Sequence, residues 1–100
     1  MIRITTVPEK LSVKAEGHAG YGPKGQDIVC AAVSVLLYAY AAELMKIGGG
    51  TRIIDSGETF EIYPAGDDPE QIMIAYETIM RGLMMLADEY ENHVRIEVRS

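Results

Sequence analysis

An imidazole and a thiol flank one glycine-rich stretch of this chain. His18 stands in Gly17-His18-Ala19, and Cys30 stands in Asp27-Ile28-Val29-Cys30-Ala31-Ala32-Val33-Ser34. Nucleophilic catalysis by sulfur needs a thiolate and a base that takes and returns a proton. Histidine is the side chain best matched to that task near neutral pH. Gly17, Gly20, Gly22 and Gly25 give the intervening chain the freedom to fold back and bring the two together. With Asp27 as N-cap of a helix, Cys30 falls in its first turn, where the positive end of the helix dipole favours negative charge. A thiol so placed, beside an imidazolium, can fall from its ordinary pKa of ~8.5 to ~3.5–7.5. The N–H groups of that turn could also hold an oxyanion. On the helical wheel Cys30 lies at the edge of the apolar stripe, in line with Asp27 and Ser34, where a reagent can reach it.

A second reading uses the same residues differently. Free cysteine is among the most buried residue types, and a cysteine in an Ala/Val-rich helix start is commonly packing. Under that reading the chain is a non-enzymatic peptide- or protein-binding module with a structural cysteine and a glycine loop that holds its partner passively. Residue type and spacing leave both readings open.

The elements that must position these residues can be read from periodicity. Residues 2–6 alternate, Val7-Pro8-Glu9 interrupts, and residues 10–16 alternate again, with Leu11, Val13 and Ala15 inward. That pattern predicts a hairpin. A loop follows over 17–25. A helix then runs from Asp27 to about Ile47, stopped by Gly48-Gly49-Gly50. Its core stripe is Val29, Val33, Leu36, Leu37, Tyr40, Leu44 and Ile47, with Glu43 and Lys46 on the wet side. Ala31, Ala32, Ala39, Ala41 and Ala42 predict close packing on a second side. Residues 51–55 and 58–63 predict a second hairpin around Ser56-Gly57. Asp68-Pro69 with Gln71 opens a second helix in a capping-box arrangement, its stripe being Ile72, Tyr76, Ile79, Leu83, Leu86 and Tyr90. Residues 93–99 alternate, with Val94, Ile96 and Val98 inward. The expected fold is a single α+β domain over residues 1–100, ordered ββαββαβ. It has a mostly antiparallel five-stranded sheet and two helices on one face. Strand order does not follow from these patterns.

Composition narrows the function classes. Fifteen acidic against nine basic residues give a net charge of −6, with no basic patch of the kind a nucleic-acid binder shows. Glu43 and Lys46 interrupt the longest apolar run, so no membrane span is expected. The start alternates like a strand and lacks the apolar core of a signal peptide, which makes the cytoplasm the expected compartment. One cysteine allows no intramolecular disulfide and no cysteine-rich zinc site. Neither a metal nor a cofactor is expected.

The string Gly17 to Ser34 resembles the signature of the ribosomal-processing cysteine proteases, the Prp family: Gly-His-Ala, a short glycine-bearing loop, then Gly-x-Asp-Ile-Val-Cys-Ala with small residues and Ser. Gly25-Gln26-Asp27-Ile28-Val29-Cys30-Ala31-Ala32-Val33-Ser34 matches it throughout, over about a fifth of the chain. The resemblance implies a cysteine endopeptidase with His18 and Cys30 as catalytic pair and Asp27 and Ser34 in support. Its substrate would be a precursor protein that loses a short N-terminal extension, either large-subunit ribosomal protein twenty-seven or, in phages, a virion protein. It also implies a homodimer. Within such an enzyme Asp27 caps the helix first of all, because a carboxylate beside a thiolate opposes its ionisation. Ser34, four residues after Cys30, is expected to bond back to the Cys30 carbonyl. The loop would be a mobile cover binding an extended peptide through Gly20, Tyr21 and Gly22.

Three further features carry less. Gly20-x-Gly22-x-x-Gly25 has the spelling of a dinucleotide loop, but the strand before it belongs to a hairpin and no acidic residue ends a second strand at the right distance. Met73, Met80 and Met84 form a stripe beside the core stripe of the second helix, suited either to a wide core face or to a second buried surface. His93, opening the last strand, reads as structural.

Overall fold

The computed structural model describes residues 1–100. Its elements are β1 (Ile2–Val7), β2 (Ser12–Glu16), α1 (Ile28–Ile47), β3 (Arg52–Asp55), β4 (Thr59–Tyr63), α2 (Pro69–Glu89) and β5 (Val94–Val98), the expected ββαββαβ order. The first hairpin departs from simple alternation at its corner. Pro8 cannot donate a backbone hydrogen bond and has its φ fixed, so it opens a turn of 3-10 helix over Pro8–Lys10. That turn closes on Leu11, whose φ is 54° and whose N–H donates to the Pro8 carbonyl at 3.1 Å. Lys10 and Leu11 are thereby withdrawn from β2, which starts at Ser12 rather than at residue 10.

The strands pair in the order β3-β4-β2-β1-β5. Three pairings are antiparallel, and β1 with β5 is parallel, with Ile2 opposite Val94 and Ile4 opposite Ile96. One sheet face carries Ile2, Ile4, Thr6, Val13, Ala15, Ile62 and Val94, all buried. The opposite face carries Arg3, Lys14, Glu16 and Glu61, which meet as the cross-strand pairs Arg3–Glu16 and Lys14–Glu61. Apolar residues of both helices close over the first face. From α1 come Val29, Val33, Leu37, Tyr40, Ala41 and Leu44, and from α2 Ile72, Tyr76, Ile79, Met80 and Leu83. At about 25 cal/mol per Å² of apolar area removed from water, this one core is the main term holding the chain folded. The helices touch at Gly82, where an added Cβ would stand 2.9 Å from the Leu36 methyls.

Some expected positions differ. Glu43 is half-buried between the helices rather than on the wet side. Val98, expected inward, is 68% exposed, at the end of β5, an edge strand. Asp68 caps α2 by accepting from Gln71 N at 3.2 Å, without the return bond of a full capping box. The methionine stripe splits, with Met80 in the core and Met73 and Met84 half out in solvent. The alanines of α1 do not all meet a neighbour: Ala31, Ala39 and Ala42 are exposed. Despite Glu43 and Lys46, α1 has the length and apolar composition of a membrane-crossing helix, so those two charges do not exclude one. Here its inner stripe is packed in the core between sheet and α2.

The polar groups inside the core are paired. Thr6 Oγ1 donates to the Ser12 carbonyl at 2.8 Å and lies 2.6 Å from the Tyr76 hydroxyl. Tyr40, fully buried, donates its hydroxyl to the Leu11 carbonyl at 2.7 Å, tying α1 to the left-handed corner. Burial, together with neighbouring Tyr76, pushes the Tyr40 phenol well above its ordinary pKa.

Candidate active site

The loop between β2 and α1 begins at Gly17, where only glycine fits. Its φ is +88°, and an L-Cβ there would lie 2.5 Å from the Met1 carbonyl oxygen on neighbouring β1's entry. That turn sends His18 to the surface, while the methyl of Ala19 dives into the core at 2% exposure. Asp27 then starts α1 and organises the whole loop. Its Oδ1 accepts from Val29 N and Cys30 N at 3.0 Å each, the N-cap bonds expected. Its Oδ2 accepts from Tyr21 N at 3.0 Å and Gly22 N at 3.3 Å, pinning the loop tip to the helix start. These N–H donors, that of Cys30 foremost, hold the Asp27 carboxyl below the usual carboxylate range.

Cys30 is half-buried, not part of the fully buried core. Its sulfur accepts one hydrogen bond, from the Ala19 N–H at 3.3 Å. His18 and Cys30 line the same two cavities, and so does Ser34. One cavity, of about 190 Å³, is walled by Val33, Leu37, Tyr38 and Phe60, with Glu16, Asp55 and Glu58 at its rim. Tyr38 and Phe60 meet edge to face there at 5.2 Å. The other, of about 570 Å³, runs under the loop past Gly20, Gly22, Lys24 and Gly25. The three shared residues therefore form a ridge between a slot that mixes apolar walls with an acidic rim and a trough lined largely by glycine backbone. A peptide lying across that ridge would have one side in each. No group of three or more His, Cys, Asp or Glu side chains is arranged to hold a metal ion.

Several expectations change at this level. No hydrogen bond joins the His18 ring to the sulfur, whose one donor is the Ala19 N–H. The Ser34 hydroxyl does not bond back to the Cys30 carbonyl, and the residue lines both cavities. Two of the first-turn N–H groups expected to be free for an oxyanion, those of Val29 and Cys30, are taken by the Asp27 carboxylate, and Ala31 N donates to Asp27 O at 3.1 Å. Gly20 and Gly22 line the trough, but Tyr21 lines neither cavity. Its ring packs edge-on against Tyr90 at 5.3 Å and His93 at 5.2 Å. His93 is more than a strand opener, since its Nδ1 bonds the Ala19 carbonyl at 2.8 Å. Sequence reasoning missed this contact, along with the Tyr38–Phe60 wall, because each joins residues far apart in the chain with no local pattern to mark them.

The chain is similar to known proteins in sequence and in fold. A family model described as cysteine protease Prp matches residues 1–95. The ribosomal processing cysteine protease Prp of Bacillus subtilis (strain 168) is 28% identical over 94 residues, covering 86% of this chain and 83% of that protein. Its namesake from Mycoplasma genitalium is 31% identical over 88 residues, 86% of each chain. Among solved structures, the essential Prp of S. aureus in complex with a covalently linked product peptide superposes with a TM-score of 0.82 at 25% identity, covering 98% of this chain and 97% of that one. SMU.848 from Streptococcus mutans superposes at 0.74 with 26% identity, over 99% of this chain and 96% of that one.

Proposed function

The chain belongs to the Prp family of cysteine proteases, and on that premise we propose that Cys30 and His18 are its catalytic pair and a protein's N-terminal extension its substrate. The carrying observation is that both line the two cavities that meet at Cys30, whose half-exposed sulfur is held by an N–H. In the reaction, His18 takes the thiol proton and Sγ attacks the scissile carbonyl. Collapse of the tetrahedral adduct breaks the C–N bond, and His18 delivers the proton to the leaving amine. Water, deprotonated by His18, then attacks the thioester, releasing the new carboxylate and restoring the thiol. Asp27 supports the pair by fixing helix start and loop together, and the Ser34 hydroxyl is available to a peptide on the ridge. Gly20 and Gly22 offer backbone to an extended peptide in the trough.

The precursor proposed is a large-subunit ribosomal protein, number twenty-seven, processed in the cytoplasm, where a lone thiol stays reduced. The relatives named as ribosomal processing proteases support this choice over a virion protein. The acidic surface favours encounter with a basic ribosomal partner. We also place a homodimer contact on the outer face of α1. Ala31, Val35, Tyr38, Ala42 and Met45 recur there at spacings of four and three, exposed and without a charge among them. This is the seam a helix presents to an equivalent helix.

Incubation with the N-terminally extended precursor, followed by mass spectrometry, tests the reading. The intact chain should release the extension, while Cys30→Ala and His18→Ala should lose turnover by at least about a hundredfold. Cleavage retained by Cys30→Ala refutes the nucleophile. Sedimentation of the chain and of Val35→Lys tests the seam, a dimer that persists in the variant counting against it.

A further inference from the structure

The peptide backbone of Ala19 supplies the one hydrogen bond from the loop to the sulfur, and it is held from the far end of the chain. Ala19 N–H points at Cys30 Sγ at 3.3 Å, its methyl is buried in the core, and its carbonyl receives His93 Nδ1 at 2.8 Å. A carbonyl only accepts, so Nδ1 carries the proton in this contact. His93 is itself fixed by backbone bonds on both sides: its N–H donates to the Tyr90 carbonyl, and its carbonyl accepts from Ile2 N, each at 2.8 Å. The Tyr21 ring packs edge-on against its imidazole, 5.2 Å between centroids.

Resting on the catalytic reading above, we propose that His93 is a positioning residue for the protease reaction. By holding the Ala19 carbonyl, it keeps the Ala19 N–H on the sulfur, where that N–H stabilises the charge of the attacking thiolate. The other first-turn donors near the sulfur are committed to Asp27, so this N–H has no substitute among them. Loss of the His93 bond frees the Ala19–Gly20 peptide, so that the residue shifts as a whole and turns about its φ, which weakens the alignment of its N–H, while the cavities that bind the peptide keep their walls. The effect therefore belongs to kcat rather than KM, as expected for an interaction that matters mainly as charge develops.

The experiment compares the full-length chain with His93→Phe, which keeps a ring against Tyr21 but has no donor, and with His93→Asn, whose amide N–H can take the place of Nδ1–H. Three readouts are taken: steady-state cleavage of the extended precursor, the iodoacetamide alkylation rate of Cys30 at pH 7, and the thermal midpoint. His93→Phe should lower kcat by about tenfold to a hundredfold, leave KM within about twofold, and slow alkylation. His93→Asn should return to within a few-fold of the parent on both rates. If His93→Phe does not fold, His93→Ala stands in for it with the same expectation. Equal kcat in His93→Phe and the parent overturns the proposal, and so does equal impairment of the Phe and Asn variants, which would mark a purely structural role. Failure of the catalytic reading looks different: Cys30→Ala would then cleave like the parent whatever residue 93 is.

Discussion

Gly17→Ala and Gly25→Ala form a matched pair that separates backbone strain from steric conflict in the loop between β2 and α1. The two glycines have nearly the same φ, +88° and +86°. Both alanines therefore incur a similar left-handed penalty of about 1–2 kcal/mol and gain the same small benefit from a stiffer unfolded chain. Their surroundings differ. At position 25 an added Cβ meets nothing within 4 Å, whereas at position 17 it falls 2.5 Å from the Met1 carbonyl oxygen. That oxygen is backbone at the start of β1, next to residues paired with β2 and β5, so relief requires shifting a strand rather than turning a side chain. Overpacking of this kind costs about 1–3 kcal/mol, and this is the expected stability difference between the two variants. With a urea slope of about 1–3 kcal/mol per M for a small domain, Gly17→Ala should unfold roughly 1 M earlier than Gly25→Ala by circular dichroism. Coincident midpoints, or a Gly25→Ala protein less stable than Gly17→Ala, would refute the steric argument.

Two further outcomes are expected. Tyr40→Phe leaves the Leu11 carbonyl without its donor inside the core and should cost about 1–3 kcal/mol in urea unfolding; Tyr38→Phe on the exposed face should stay within about 0.5 kcal/mol. The depressed carboxyl of Asp27 makes its contribution fully present above the ordinary carboxylate pKa, near 4, and lost as pH falls through the lower folded value. The stability gap between the parent and Asp27→Asn should thus be widest at neutral pH and narrow as acid takes the pH below the ordinary carboxylate range, and a gap unchanged by acid would contradict the four-donor role of this carboxylate.

What was legible in the chain was whatever local chemistry decides. Asp27 and Asp68 mark helix starts because a short carboxylate reaches the N–H groups two or three residues on. Gly48 marks a stop because α1 cannot continue through its backbone. That His18 and Cys30 line the same cavities was legible because a glycine loop and a helix start sit beside these two residues. Alternation failed at Leu11, where Pro8 and a hydroxyl from Tyr40, 29 positions away, pull the chain into a turn that its own apolar pattern does not announce. The β1–β5 pairing and the reach of His93 to Ala19 were hidden for the same reason: each joins residues from opposite ends of the sequence, and only the closed sheet brings them together.

That closure has a consequence for how the molecule is made. Translation delivers His18, the loop and Cys30 early, but their anchor lies 74 residues after Ala19, in the turn that leads into β5. Until that turn has emerged and β5 has docked beside β1, nothing holds the Ala19 carbonyl, and this long-range closure is a slow event in the search for the native state. A nascent chain still threaded through the tunnel therefore carries His18 and Cys30 before the Ala19 carbonyl has found its partner, and the loop takes its final geometry as a late, all-at-once property of the finished domain.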